Sequence, residues 1–270
     1  MFRKKNCIVY GTCQVTPIRN HLMSSPTFRS QYNILDIPFV HHIGKNTGLN
    51  ESLLANCDLF IYQRVSETYS LILSTDYLIR KLPKHCIKIS FSFCYFTGYF
   101  PQYVNDPNGF VYGDINVARF LSEGRSNQEI ISIISDENFY SYHQLTSILE
   151  NTLYQLRIRE VGLDIVVADY IESLFRENRL FYTYNHPTYH LTCYMAKRML
   201  LRLGISPNEI SEIRHETYAS DHTHPIYPSV IRHLNLKFVR PGERSFIMNG
   251  YPVTFGEYIR YYLEYVRTKL

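Results

Sequence analysis

Near the N-terminus runs the stretch CIVYGTCQVTPIRNHL, residues 7–22, which predicts a β-strand, a tight turn and an α-helix in succession. Its apolar start, residues 7–10, is typical of a buried strand, and Gly11 ends that strand. Thr16 and Pro17 then predict an N-cap and the first helical residue, because a helix tolerates proline where its N–H groups lack partners. A strand followed directly by a helix is the repeating unit of α/β folds.

The same alternation continues through the first third of the chain. Further strands are predicted at residues 33–37, 58–62 and 86–91, with helical stretches between them. Repeated βα units of this kind favour an open parallel sheet with helices on both faces, as in flavodoxin-like folds. The expected fold class is therefore α/β.

Helical patterns dominate the middle of the chain, at residues 128–135, 142–159 and 168–179. Together they predict a mainly helical insert over residues 113–180. No repeat, low-complexity tract or flexible linker separates the parts, so residues 1–270 are expected to form a single α/β domain. A capping box, Thr254 with Glu257, opens a final amphipathic helix.

Composition excludes several classes of function. With 45% apolar and 19% charged residues, the 270-residue chain can bury a core. It has no long apolar run for a membrane span and no signal-peptide pattern near its start, so we expect a cytoplasmic protein without an integral membrane segment. The formal net charge of +4 is spread along the chain, which does not indicate a nucleic-acid partner.

Cysteine and histidine spacing predicts free thiols and no metal site. The six cysteines lack the paired CxxC spacing of a zinc site. His222 and His224 lie in a proline-rich segment, and neither they nor His41-His42 have a third ligand at a fixed spacing. Dinucleotide-binding, P-loop and GxSxG motifs are absent as well.

Two polar clusters follow predicted strands, where parallel sheets bind ligands. Cys13, in the turn after the first strand, precedes a predicted helix N-terminus whose partial positive charge would lower its pKa and favour the thiolate. A small buried cysteine is the alternative. Gln63 follows the third strand and could donate to an oxyanion, and Arg64 could hold a phosphate, although a solvated loop pair fits equally well.

A third cluster surrounds His186. With Pro187 as the predicted first residue of a helix, His186 falls at the N-cap, where the helix field keeps the imidazole neutral, as a general base must be. A histidine that only caps its helix is the alternative. Because His186, Cys13 and Gln63 would lie along one edge of the same sheet, a functional role is favoured.

An aromatic stretch, residues 93–102, follows the fourth strand. We expect it to form an aromatic wall that excludes water and stacks on a sugar. The alternative is that these rings pack beneath the helical insert.

Five motifs occur in the order in which the WcbI family carries them, so the chain resembles that family along nearly its whole length. The motifs are IVYGTCQ at residues 8–14, DLFIYQ at 58–63, YFTGYFPQ at 95–102, NHPT at 185–188 and HPIYPSV at 224–230. Members of the family are polysaccharide-biosynthesis proteins of bacterial capsule and surface-glycan loci. The resemblance implies a divergent SGNH/GDSL-like fold, coenzyme A binding and sugar O-acetyl transfer.

The resemblance also assigns roles to individual residues. It implies Cys13 as nucleophile, Gln63 near the oxyanion position and His186 as base, while Gly11, Thr12, Gln14 and Arg64 are the candidate coenzyme A contacts. Thr12 replaces the asparagine usual in the family's turn. Thr183 stands three residues before His186, where SGNH proteins carry the acid of an Asp-x-x-His pattern.

The expected function is an acyl-CoA-dependent O-acyltransferase, with acetyl-CoA as donor and an activated or polymeric sugar as acceptor. In a covalent route Cys13 carries the acyl group, and in a direct route Cys13 and Gln63 only shape the oxyanion site while His186 activates the sugar hydroxyl. The alternatives are an SGNH-like esterase or deacetylase and a catalytically inactive coenzyme A or glycan-binding protein. The sequence is also compatible with a homo-oligomer.

Overall fold

The structure, a computed structural model, describes residues 3–105, 112–211 and 222–269. The chain divides into two compact units. The first comprises Met1–Cys94, Ile158–Asp169 and Tyr189–Tyr218, and the second comprises Tyr95–Arg157, Tyr170–Thr188 and Ala219–Leu270.

A four-stranded parallel sheet forms the centre of the first unit. Its strands, in the order β2-β1-β3-β4, are β1 (Lys5–Tyr10), β2 (Tyr32–Ile34), β3 (Leu59–Gln63) and β4 (Ile87–Phe91). The inner strands are apolar and largely buried over residues 7–10 of β1 and 59–62 of β3, as expected for a parallel sheet with both faces covered. The predicted α/β fold class is confirmed.

Strand order places a topological switch point between β1 and β3. From β1 the chain crosses to β2 on one side, and it then returns to add β3 on the other side. Crossovers that leave in opposite directions open a crevice at the carboxyl ends of the two strands. Residues 11–14 and Gln63 occupy those ends.

Helices connect the strands of the first unit. They are α1 (Val15–Ser24), α2 (Pro26–Gln31), α3 (Glu51–Ala55), α4 (Thr75–Lys81) and, later in the chain, α9 (Tyr189–Arg202). Helices α1 and α9 pack together, and buried His21 Nε2 lies 3.1 Å from Thr192 Oγ1. These contacts fix the position of α1 and of the turn that precedes it.

The second unit combines short antiparallel strand pairs with helices. The pairs are β5 (Tyr103–Val104) with β6 (Gly113–Asp114), β7 (Phe181–Thr183) with β8 (His186–Pro187), and β9 (Phe246–Met248) with β10 (Tyr251–Val253). Its helices include α5 (Ile115–Ser122), α6 (Asn127–Ile134), α10 (Pro228–His233) and α11 (Phe255–Arg267). Helices α7 (Tyr142–Glu160) and α8 (Ala168–Leu174) begin in one unit and end in the other.

Two predicted helix starts are wrong. Helix α1 begins at Val15, whereas the sequence predicted a start after an N-cap at Thr16. The earlier start is possible because Pro17 still lies in the first turn, where the N–H that proline lacks would have no helical partner. Helix α9 begins at Tyr189, and His186 and Pro187 form strand β8 instead of a helix N-terminus. The residue before a proline is sterically biased towards extended conformations, which favours the strand at His186.

The aromatic stretch after β4 is largely interior. The rings of Phe96, Tyr99 and Phe100 are fully or almost fully buried, and Phe96 stacks on Phe181 with 5.3 Å between ring centroids. The expectation of an aromatic wall is therefore wrong for these three residues, because the large apolar rings fill the core of the second unit. Phe93 and Tyr95 are half-buried.

Candidate functional site

The turn between β1 and α1 is held by two buried glutamine side chains. Gln63 accepts through Oε1 from the Thr12 N–H (2.9 Å) and the Thr12 hydroxyl (3.1 Å), and donates through Nε2 to Gln14 Oε1 (2.9 Å). Gln14 in turn donates to the Cys94 carbonyl (2.8 Å) and accepts from the Cys94 N–H (3.0 Å). The network fixes the turn against the ends of β3 and β4.

Gly11 is required by this close packing. An added Cβ at position 11 would lie 2.5 Å from Gln63 Oε1 and 3.0 Å from Val15 Cγ1. A side chain here would therefore displace the Gln63 amide and break its hydrogen bonds to Thr12.

Cys13 lies within this turn, and its thiol is the one half-buried thiol among the six cysteines, all of which the structure describes; the other five are buried. Burial raises the pKa of the Cys13 thiol. The backbone N–H groups of Cys13 and Gln14 have a smaller, opposite effect, so the pKa remains above its ordinary value. The expected drop in pKa is wrong, because removal of the thiolate from water outweighs the field of the helix N-terminus.

Arg64 follows β3 and points along the surface of the first unit. Its guanidinium donates to the carbonyl oxygens of Val161 (2.8 Å) and Gly162 (2.9 Å). A guanidinium has five N–H donors, so the two backbone contacts anchor the side chain and leave donors for a further anion.

His186 belongs to the second unit, in the hairpin of β7 and β8. Its Nδ1 lies 2.8 Å from the Tyr112 hydroxyl and 2.8 Å from the Thr183 hydroxyl. Burial, together with the smaller effect of the nearby His222, lowers the pKa of His186 to about 4. The ring is thus neutral near pH 7, as expected, but burial rather than a helix N-terminus is the cause.

Tyr112, which contacts His186, belongs to a cluster of histidines and tyrosines in the second unit. Tyr112 stacks on His222 and on His224, each with 5.5 Å between ring centroids, and the Tyr258 hydroxyl lies 2.7 Å from His222 Nε2. His224 is buried, and burial lowers its pKa to about 3. In the described part of the chain, no group of three or more His, Cys, Asp or Glu residues is arranged to hold a metal ion.

Sequence reasoning missed several of these residues. Tyr112 and Tyr258 lie far from His186 in sequence, and no local pattern identifies them. A signal did exist for Thr183, which stands three residues before His186, and for His224, which belongs to the HPIYPSV motif. The structure brings Thr12, Gln14 and Gln63 together around the Cys13 turn and places Tyr112 and Thr183 on His186.

One solved structure is similar to the chain over nearly its whole length. It is described as WcbI, a novel polysaccharide biosynthesis enzyme, in the form of the native protein without a disulfide bond between coenzyme A and one of its cysteines. The two chains are 24% identical, with a TM-score of 0.83 over 98% of this chain and 91% of the other. This likeness supports the fold.

Among the residues that the structure describes, no helix has the length and apolar character that a bilayer span requires.

A search among curated proteins finds no match. The family described as "Polysaccharide biosynthesis enzyme WcbI" matches residues 6–208. Since this match covers well over half of the 270 residues, the chain belongs to the WcbI family of polysaccharide biosynthesis enzymes.

Proposed function

We propose that the protein is an acyl-CoA-dependent O-acyltransferase that transfers an acetyl group from acetyl-CoA to a sugar hydroxyl during the biosynthesis of a bacterial capsule or another surface polysaccharide. The observation that carries the proposal is the Cys13 turn, a half-buried thiol held at the switch point of a parallel sheet by the Gln14 and Gln63 amides. Family membership supports a role in polysaccharide biosynthesis. Activated sugars and coenzyme A are cytoplasmic metabolites, so we also propose a cytoplasmic protein.

Acetyl-CoA is the proposed donor, because the description of the solved WcbI structure names coenzyme A and specifies a native protein without a disulfide bond between coenzyme A and one of its cysteines. The chemistry of the first unit fits such a ligand. Arg64 retains N–H donors for a phosphate, and Gly11, Thr12 and Gln14 form the turn that carries the Cys13 thiol. We propose these residues as coenzyme A contacts, with Gln14 acting through the shape of the turn.

In the covalent route, the Cys13 sulfur attacks the thioester carbonyl, the bond to the coenzyme A sulfur breaks, and coenzyme A leaves as a thiol. A sugar hydroxyl then attacks the acyl-cysteine and gives its proton to His186. In the direct route, the sugar hydroxyl attacks acetyl-CoA itself. Because the pKa of Cys13 is raised, little thiolate exists near pH 7, and the covalent route needs proton removal at the moment of attack.

Gln63 acts as a positioning residue in this proposal. Its Nε2 donates to Gln14 and its Oε1 accepts two hydrogen bonds from Thr12, so the amide holds the turn in place. Half-buried tyrosines of the second unit are the proposed stacking surface for the sugar, and Tyr103 and Tyr184 already stack with 3.7 Å between their ring centroids.

The decisive experiment follows acetyl-CoA by chromatography, with and without a panel of nucleotide sugars. We expect coenzyme A release to depend on a sugar, and the sugar product to gain one acetyl group by mass. His186→Asn should lower kcat by about 10²- to 10⁴-fold while leaving calorimetric coenzyme A binding intact. Cys13→Ala should abolish turnover in the covalent route, and Cys193→Ala, which removes a buried thiol of α9, is the matched control.

Other outcomes would contradict the proposal. Release of coenzyme A at one rate with or without sugar would indicate a hydrolase, and binding without turnover would indicate a catalytically inactive binding protein. No calorimetric binding of coenzyme A at millimolar concentration would remove the donor. Arg64→Ala binding coenzyme A as well as the parent would remove that contact alone.

A further inference from the structure

A four-residue hairpin places Thr183 directly opposite His186. Strands β7 and β8 pair antiparallel, with Thr183 opposite His186 and Phe181 opposite Pro187, and only Tyr184 and Asn185 form the turn. Side chains of directly opposed residues lie on the same face of an antiparallel pair. The 2.8 Å contact between Thr183 Oγ1 and His186 Nδ1 is therefore a consequence of the local backbone pairing.

The two contacts of the Thr183 hydroxyl together indicate where its hydrogen lies. Thr183 Oγ1 donates to Asn185 Oδ1 at 3.1 Å, and a hydroxyl has only one hydrogen to donate. Asn185 Oδ1 has no hydrogen of its own, so the 3.1 Å and 2.8 Å contacts of Thr183 are both hydrogen bonds only when Thr183 donates to Asn185 and His186 Nδ1 donates to Thr183. This arrangement places the hydrogen of the neutral ring on Nδ1.

Tyr112 alone would not decide the tautomer. Its hydroxyl also lies 2.8 Å from His186 Nδ1, and a phenol can either accept a hydrogen bond from this nitrogen or donate one to it. Thr183 removes this ambiguity, because both of its contacts are hydrogen bonds only when it accepts from Nδ1. The Tyr112 hydroxyl then also acts as an acceptor for the Nδ1 hydrogen.

We propose that Thr183 is a positioning residue that holds the neutral His186 ring as the Nδ1–H tautomer, with the lone pair on Nε2. A general base requires a lone pair at the nitrogen that receives the proton. Only one part of this inference rests on the proposed acyl transfer, namely that the Nε2 lone pair removes a proton from the sugar hydroxyl. The tautomer itself is a property of the hairpin.

Nitrogen-15 NMR of the imidazole rings in the intact, ligand-free protein tests the tautomer at pH 7. His186 is assigned by the signal that disappears in His186→Asn, and its two ring nitrogens are distinguished by their couplings to the ring protons. We expect a protonated Nδ1 in the parent, in Thr183→Ser and in Tyr112→Phe. Thr183→Val should shift the population towards Nε2–H, because Tyr112 can then donate to a bare Nδ1.

Thr152→Val is the matched control, since it removes a buried hydroxyl of the same unit whose partner is Thr97. It should keep the parent pattern. Should Thr183→Val fail to fold, Asn185→Ala provides a second route, because it releases the Thr183 hydrogen to donate to Nδ1 and should also populate Nε2–H. A parent ring protonated at Nε2, or an unchanged tautomer in both Thr183→Val and Asn185→Ala, would overturn the proposal.

An activity arm separates this inference from the proposed function. In the acetyl-CoA assay, Thr183→Val should lower kcat by about 10- to 10⁴-fold with the KM values unchanged, and Thr183→Ser should restore most of the rate. Absence of sugar-dependent transfer in the parent would contradict the proposed function and leave the NMR result to decide the tautomer. A parent-like kcat in folded Thr183→Val would contradict the positioning role.

Discussion

At the scale of single residues, burial controls the chemistry of the two candidate reactive groups. It raises the pKa of the Cys13 thiol and lowers the pKa of His186 to about 4, so both groups are neutral near pH 7. Neutral reactants avoid the desolvation cost of a buried ion pair. Any charge in the proposed reaction therefore develops only during proton transfer or attack.

We predict that Cys13 is the first thiol to be alkylated in the native protein. Cys86 is the informative competitor, because its pKa is lowered by its hydrogen bond with Cys57 but its side chain is buried. With limiting iodoacetamide and peptide mapping, Cys13 should react first, and its rate should keep rising from pH 7 to pH 9, since its pKa is raised.

Denaturation in urea supplies the control for this labelling experiment, because all six thiols should then react at similar rates. Faster native labelling of Cys86 would show that acidity outweighs exposure. A rate for Cys13 that levels off below pH 8 would contradict the raised pKa.

At the scale of secondary-structure elements, a buried carboxylate opens α5. Asp114 accepts hydrogen bonds from the N–H groups of Asn116 (2.9 Å) and Val117 (3.0 Å) and from the Tyr227 hydroxyl (2.7 Å). These contacts stabilise the charged form, yet burial is the larger effect and raises the pKa of Asp114 to about 6. The N-cap of α5 thus becomes charged only near neutral pH.

We predict that Asp114→Asn becomes increasingly favourable relative to the parent as the pH rises from 4 to 7. A carboxyl whose folded pKa is raised contributes stability below its unfolded pKa of about 3.9, and that contribution is lost as the pH rises through about 6. Asparagine keeps a capping oxygen and does not ionise. Urea unfolding at several pH values measures the difference between the two proteins.

Asp136→Asn, at an exposed position whose carboxylate accepts from the Asn138 N–H, controls for the change in net charge. A difference between parent and Asp114→Asn that stays constant, or that favours the parent as pH rises, would contradict the raised pKa.

At the scale of the whole molecule, the neutral histidines of the second unit make global stability sensitive to acid. Burial lowers the pKa of His186 to about 4 and of His224 to about 3. The unfolded chain binds these protons near pH 6.5, whereas the folded protein does not. The stability contributed by each neutral ring is therefore present above about pH 6.5 and is lost as the pH falls towards its folded pKa.

We predict that His224→Phe loses less stability in acid than the parent does. His224 stacks on Phe100 with 5.0 Å between ring centroids and is fully buried, so phenylalanine fits the apolar surroundings. Between pH 7 and pH 4, the free energy of unfolding of the parent should fall relative to that of the variant by on the order of 3 kcal/mol. Parallel pH profiles of the two proteins would contradict this prediction.

Local sequence patterns determined the parallel-sheet unit and the position of its turn. Apolar runs ended by glycine or polar residues predict β1, β3 and β4 to within two residues, because a strand buried on both faces leaves a short, unambiguous signal. The capping box at Thr254 and Glu257 likewise predicts the start of α11, since both hydrogen bonds are local. The carboxyl ends of β1 and β3 then indicated Cys13 and Gln63 as candidate site residues.

Tertiary structure alone decided how those residues behave. The sequence favoured a thiolate at Cys13 and an N-capping histidine at position 186, but burial reversed the first expectation and a two-strand hairpin replaced the second. The partners of Gln14 and His186 come from Cys94 and Tyr112, far away along the chain. Desolvation and long-range hydrogen bonds depend on which distant segments the fold brings together, and no short sequence pattern contains that information.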